Sequence, residues 1–318
     1  MTPSALVTLD QHVRQIDSFG DEVFRLFHGR GQCFEGLEQI TIDWLNGQIL
    51  ISLFKEHSED FLSALTLHVE QWLQLEAWQN NVHSVLLHHR SRVGAPMDVL
   101  FGTLAHTQVV TENGLKFLLD LGQKQNNGLF LDMKNGRKWV MEHAQQKNVL
   151  NLFAYTCGFS VAAIAGGASQ VVNLDMAKAA LSKGRENHRL NEHDTNKVKF
   201  LGHDLFKSWG KLRKFGPYDL VIIDPPTFQK GSFALTKDYK KILRRLPELL
   251  QDGAHVLACV NDPSLESQFL IDEMQAQAPD VQFIERLKNP SAFVDINPEG
   301  GLKSLLFNYS QSDSDIHL

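Results

Sequence analysis

Apolar and polar positions follow two rhythms along this chain of 318 residues. Up to about residue 125, short apolar runs alternate with turns. "EQITIDWLNGQILISLF" is two such runs about Asn46-Gly47, and "TQVVTENGLKFLLDL" repeats the arrangement about Asn113-Gly114. Asn-Gly tolerates the positive φ angles of a tight turn, so both stretches predict hairpins. Between them, "SEDFLSALTLHVEQWLQL" puts Phe61, Leu65, Val69 and Leu73 on one face of a helix that opens at Ser58 with acids in its first turn. "VHSVLLHHR" reads as a strand. Its basic, histidine-rich end is consistent with phosphate contact, although His88 and His89 read first as surface residues. Together these elements predict a small N-terminal α+β accessory domain, residues 1–90.

After "NNGLFLDMKNGRKWV" the rhythm changes to strand, helix, strand. "KNVLNLFAY", "SQVVNLD", "NKVKFLG", "YDLVIID" and "GAHVLACVN" are apolar runs separated by helical stretches such as "SVAAIAGG", "MAKAALSKGRENHRL" and "YKKILRRLPELL". This alternation predicts an α/β domain over residues 91–318, led by the second hairpin and built on a doubly wound, Rossmann-like parallel sheet. Functional groups are expected at the carboxyl ends of its strands. The sequence shows no internal repeat, and only the tail "SQSDSDIHL" reads as disordered.

Composition, 43% hydrophobic and 21% charged, is that of a globular chain. No apolar stretch reaches the roughly 18 residues of a membrane span, and no secretory signal is visible, so the cytoplasm is the expected location. Cys33, Cys157 and Cys259 lack metal-ligand spacing, which predicts three reduced thiols and no metal. The net charge of −6 disfavours a nucleic-acid interface covering the whole surface. However, Lys207 to Arg245 holds ten basic residues against three acids, a local +7 that leaves −13 elsewhere. Such a stretch is either a phosphate footprint or a solvated helix face such as "KDYKKILRR".

Polar residues punctuate successive strand ends. The first strand runs into "NLFAYTCGFS", the second ends at Asp175, the third at His203-Asp204 and the fourth at Asp224. G-x-G-x-x-G, which would bring a helix N-terminus to a pyrophosphate, is absent. An acid closing the second strand suits both hydroxyls of a ribose, and one closing the third suits an adenine amino group. Each acid alone is equally readable as a helix cap, but their recurrence points to an adenosine without a pyrophosphate, and S-adenosyl-L-methionine is such a ligand.

From about Leu86 to Phe307 the chain resembles the class I S-adenosylmethionine-dependent methyltransferases of 23S ribosomal RNA, the group that includes the large-subunit cytosine-C5 and guanine-N7 enzymes. The resemblance rests on "GLKFLLDLGQKQNNGLFLDMKNGR", "VLNLFAYTCGFSVAAIAGGASQVVNLDMAKAAL", "RENHRLN" and "DLVIIDPPTF" taken together. It implies cofactor contacts from Phe130 and Asp132 of "GLFLD", from Asn151, Phe153, Tyr155 and Gly158 of the first strand and its turn, and from Asp175, Met176, Asp204, Leu205 and Asp224. The turn departs from the family's Y-T-G-G or Y-T-G-S, with Cys157 in place of the first glycine.

The resemblance also gives "DPPTF" a task. Pro225 and Pro226 have no N–H and stiffen the loop, Phe228 offers a face to an extruded base, and Asp224 orients that base or takes its proton. The cysteine that C5 enzymes of this family use against C6 falls at Asn261, two residues beyond Cys259. Cys259 therefore reads as core, and direct transfer to a nitrogen of the base is expected, with Asp224, Pro225, Phe228 and Asn261 as acceptor-site residues. The expected partner is RNA, 23S rRNA or a ribosomal precursor. The alternatives are methylation of a protein side chain or small molecule, and a non-catalytic RNA-binding relative.

Overall fold

The computed structural model describes residues 3–122, 125–229 and 233–311. Packing divides the chain into two compact units, Met1–Asp132 with Pro290–Pro298, and Met133–Asn289 with Glu299–Leu318. Among the described residues no helix is long and apolar enough to cross a membrane.

In the first unit, β1 (Phe24–His28), β2 (Ile40–Leu45), β3 (Gln48–Leu53), β4 (Ser84–His89) and β5 (Met97–Phe101) form one sheet in that order, and β6 (Thr107–Glu112) pairs with β7 (Leu115–Asp120). Both expected hairpins form, and Asn46, Gly47, Asn113 and Gly114 all have positive φ. Helix α1 (Leu6–Val13) and helix α2 (Glu59–Trp72) bury Leu6, Leu9 and Val13 together with Phe61, Leu65, Val69 and Trp72, and α3 (Glu76–Asn81) adds Trp78. Ser58 caps α2, its side chain accepting from the Phe61 N–H. The domain limit expected after residue 90 falls between the paired strands β4 and β5, and the unit continues to residue 132. His88 and His89 are not surface residues. Every position of β2, β3 and β4 is buried, and because β4 lies between β3 and β5, both histidines are enclosed (0% and 3% exposed).

The second unit holds α4 (Lys134–His143), β8 (Asn148–Leu152), α5 (Gly158–Ala165), β9 (Gln170–Leu174), α6 (Lys178–Leu190), β10 (Val198–Leu201), α7 (Trp209–Phe215) and β11 (Tyr218–Ile223). After these come β12 (Phe228–Gln229), β13 (Phe233–Ala234), α8 (Leu235–Leu243), β14 (Leu250–Val260), α9 (Ser267–Gln277), β15 (Val281–Leu287) and β16 (Lys303–Tyr309). The sheet order is β10-β9-β8-β11-β14-β16-β15. The five predicted strands are parallel, whereas β16 and β15 extend the edge antiparallel, outside the alternating pattern. Alternate residues point to opposite faces. Leu150, Leu152, Val221, Ile223, Val256 and Ala258 pack with Tyr239, Ile242 and Leu243 of α8, while Val149, Val171, Leu220, Ile222 and Leu257 pack with Val140 and Phe159 of α4 and α5. Each such burial contributes about 1.5–3 kcal/mol, enough in number to fix the strand ends as a rigid platform. Lys230 and residues 312–318 of the tail lie outside the described residues, as does the side chain of Phe228.

Candidate active site

The strand order reverses between β8 and β11, and in an open α/β sheet ligands bind beyond the carboxyl ends at such a reversal. Chain leaving β8 turns sharply there. Phe153, Tyr155 and Cys157 all have positive φ (56°, 46° and 63°), a conformation that costs L-residues energy and persists only where surroundings enforce it. Asp175, at the end of β9, supplies part of that enforcement. Its Oδ2 accepts from the Tyr155 N–H (2.8 Å) and its Oδ1 from the Ala177 N–H (2.7 Å). A carboxylate offers about four acceptor sites, so two remain for a ligand's hydroxyls. Cys157 takes the left-handed conformation that glycine adopts most readily. Its side chain is fully buried, and burial pushes the thiol well above its usual range, with Asp175 adding to the effect.

At the end of β10, Asp204 caps the following turn. Its Oδ1 accepts from the Phe206 N–H (2.9 Å), and Lys207 pairs with Oδ2 at 3.7 Å. Phe153, Leu174, Asp175, Met176, Asp204, Leu205, Phe206 and Phe233 line a narrow cleft of about 320 Å3 including its open mouth. Phe153 and Phe233 meet edge to face at 5.1 Å, and Met176 is 45% exposed. Apolar walls with a carboxylate at each strand end are a lining that could hold an adenosine moiety, with the walls against the base and the acids within reach of hydroxyl and amino groups.

The other expected cofactor residues are placed differently. Asn151 is buried inside β8, donates to Asn173 Oδ1 (2.9 Å) and begins a chain that continues through Ser160 and His188 to His193. Tyr155 contributes its backbone N–H to Asp175, and Gly158 opens α5. Phe130 and Asp132 belong to the first unit, where Phe130 is 42% exposed and Asp132 lies in a short turn.

Beyond β11 and β14 two loops are tied together. Pro225 is buried while Pro226 and Thr227 are exposed. Thr227 Oγ1 donates to the Asn261 carbonyl (3.2 Å), and the Thr227 carbonyl accepts from the Leu235 N–H. Beneath them, the Tyr239 hydroxyl lies 3.3 Å from the Ile223 carbonyl and 3.1 Å from that of Cys259, bridging the last turns of both strands. Burial raises the Tyr239 phenol well above its usual range, and Cys259 and Asp224 reinforce this. Cys259 is fully buried in β14, with its Sγ 3.7 Å from Ser304 Oγ. Asp224 and Asn261 therefore sit at adjacent strand ends on cross-tied loops.

Sequence reasoning passed over Tyr239, Lys303, Phe206 and Phe233. Lys303 is completely buried, its ammonium donating to the Asp262 (2.7 Å) and Glu299 (2.8 Å) carbonyls. A lysine opening an apolar run is the only signal the sequence carries. The basic stretch is also less free than its +7 implies: Lys207, Arg213, Lys241 and Arg245 all pair with carboxylates.

A family model described as S-adenosylmethionine-dependent methyltransferase matches residues 24–308. The chain is 30% identical over 279 residues to a protein of Shigella boydii named ribosomal RNA large subunit methyltransferase I, covering 85% of this chain and 69% of that one. It is 35% identical over 192 residues to the protein of the same name from Aeromonas salmonicida, covering 58% and 48%, so this second match spans about half of that relative's length. In fold it is similar to SMU.776, solved in complex with SAH, with a TM-score of 0.82, 24% identity and coverage of 97% and 82%. The parallel sheet with its antiparallel edge, the carboxylates at its strand ends and the match across both units carry one conclusion: the chain belongs to the S-adenosylmethionine-dependent methyltransferase family, among the relatives named for large-subunit ribosomal RNA.

Proposed function

We propose that this chain methylates a base of RNA, most directly 23S rRNA or its precursor, by direct transfer to a base nitrogen. The RNA substrate class is supported by the names of the relatives. The choice of atom is carried by one observation: both cysteines of the second unit are fully buried, and Cys259 lies within the sheet rather than on a loop. Carbon-5 of cytosine is a poor nucleophile and needs a thiolate added at C6, whereas a base nitrogen brings its own lone pair.

When bound, S-adenosylmethionine supplies a methyl group activated by its sulfonium. The chain's part is to hold two reactants in line. Asp175 and Asp204 hold the adenosine, Asp224 accepts from the base and receives the proton that a nitrogen gives up, and the carbonyls around Pro225-Pro226 grip the base edge. Asn261 completes the acceptor side. The base must first leave its stack, and the ties among Thr227, Asn261 and Tyr239 keep the receiving loop in place while it does so. Incubation of the purified chain with deuteromethyl-labelled cofactor and large-subunit RNA tests this reading. Label in RNA is expected, and label only in protein or small molecules contradicts it.

A further inference from the structure

The edge of the second unit's sheet carries a groove that the methyl-transfer site does not use. It lies between α6 and β10, about 720 Å3 including its open mouth, and is lined by Arg185, Arg189, Thr195, Lys199, Phe200 and Phe215 among others. Three cations thus face one concavity, and none of them forms an ion pair among the described residues. Lys183, two residues before Arg185 on the same helix, is by contrast paired with Glu186 at 3.4 Å. The Arg185 guanidinium lies 4.5 Å from the centroid of the Phe200 ring. Cation–π stacking fixes a guanidinium flat while leaving its in-plane donors free, an arrangement suited to phosphate. Arg189 follows at i+4 on the same face of α6, and Lys199 precedes Phe200 on β10. The Lys199 ammonium reaches only a backbone carbonyl, that of Asn196 at 3.1 Å.

From these observations we infer that the α6–β10 groove is a phosphate-binding track for an RNA strand flanking the methylated base. The inference rests on the RNA reading above. It places backbone contact at the adenosine-side edge, three strand positions from β11, or about 14–15 Å at the usual strand spacing. Unlike Lys207, Arg213, Lys241 and Arg245 of the 207–245 stretch, which pair with carboxylates, its cations are available to a polyanion. Single-stranded RNA suits the groove, since its backbone can follow the cations and an unstacked base can lie against a guanidinium plane. A peptide strand pairing with the edge of β10 is the competing occupant, and it would bind through main-chain hydrogen bonds with little dependence on salt.

The test compares the intact chain with Arg185→Gln, Arg189→Gln and Lys199→Gln, singly and combined. It measures equilibrium binding of a large-subunit RNA fragment from 50 to 300 mM salt, with calorimetric titration of S-adenosylhomocysteine alongside. Each lost phosphate contact lowers the slope of log K against log salt by about 0.7 on single strands, so the triple variant should lose roughly 2 units of slope. Its S-adenosylhomocysteine affinity should stay within about twofold of the wild type. An unchanged slope, in variants that still bind S-adenosylhomocysteine and in a wild type that methylates RNA, overturns the groove and leaves the methyltransferase reading standing. A wild type with no salt-dependent RNA binding overturns both.

Discussion

The Sγ of Cys157 fills the space that any side chain at position 184 would need: a Cβ on Gly184 would stand 2.4 Å from Sγ and 2.8 Å from the Cys157 Cβ. A helix glycine thus makes room for the thiol of the preceding turn. Gly184→Ala should destabilise the fold by about 1–3 kcal/mol through overpacking. Adding Cys157→Gly should recover most of that loss, because glycine takes a φ of 63° without penalty and vacates the space. Urea unfolding of both single variants and the double measures the coupling. Additive losses would show that the two residues do not compete for the same volume.

Asp175 has a double task, holding the Tyr155 and Ala177 amides while facing the cleft. Asp175→Ala should weaken S-adenosylhomocysteine binding roughly 10- to 150-fold, the equivalent of about 1.5–3 kcal/mol for a charge-assisted hydrogen bond. Asp175→Asn should also lose affinity, because one of its two head atoms becomes a donor facing an amide donor. Calorimetric titration reads both, and wild-type affinity in either variant removes the carboxylate from the binding site.

The tie between Thr227 and the Asn261 carbonyl separates positioning from cofactor binding. Thr227→Val should lower kcat about tenfold or more with S-adenosylhomocysteine affinity unchanged, and Thr227→Ser should restore it. Lys303→Met should act on both folding and turnover, because the Asp262 and Glu299 carbonyls lose a buried donor at about 1–3 kcal/mol each. Single-turnover rates and urea unfolding, measured together, distinguish the two cases.

Acid should destabilise the chain through its buried histidines. Burial, reinforced by His193, holds His188 down to about 3, and burial with Arg90 holds His88 down to about 4. The unfolded chain takes up these protons below about 6.5, while the folded chain refuses them until the pH is much lower. Stability is therefore complete above about pH 6.5 and falls as pH drops toward 4, by up to about 1.4 kcal/mol per pH unit for each histidine. Chemical denaturation at pH 7.5, 6 and 5 should show this slope, and His188→Gln should make it shallower. A flat profile over that range contradicts the burial account.

The parts of the fold and site that the sequence made legible are those with local causes. Asn46-Gly47 and Asn113-Gly114 demand positive φ, Ser58 caps a helix, and five apolar runs end in polar residues that do lie at the carboxyl edge of one sheet. Asp175 could be placed because it directly follows β9, and Asp204 because it lies just three residues beyond the end of β10. What stayed hidden depends on non-local pairing. β15 and β16 join the sheet antiparallel without any helical crossover, and Lys303 and Tyr239 reach strand ends far from them in sequence. Asn151 follows the same logic in reverse: it lies on a functional strand, yet its side chain points into a buried polar chain through Asn173 and Ser160. The basic stretch overstated its unpaired charge because Lys207, Arg213 and Arg245 pair with Asp204 and Glu248, which lie outside it.

Methyl transfer to a base nitrogen of large-subunit RNA, as proposed above, proceeds without a covalent enzyme–base adduct. Nucleoside mass spectrometry of that RNA, after incubation with the purified chain and deuteromethyl-labelled cofactor, tests it most directly. The account predicts label on a ring nitrogen or an exocyclic amine, with Cys259→Ala retaining most activity. Label in 5-methylcytidine, lost in Cys259→Ala, would contradict it.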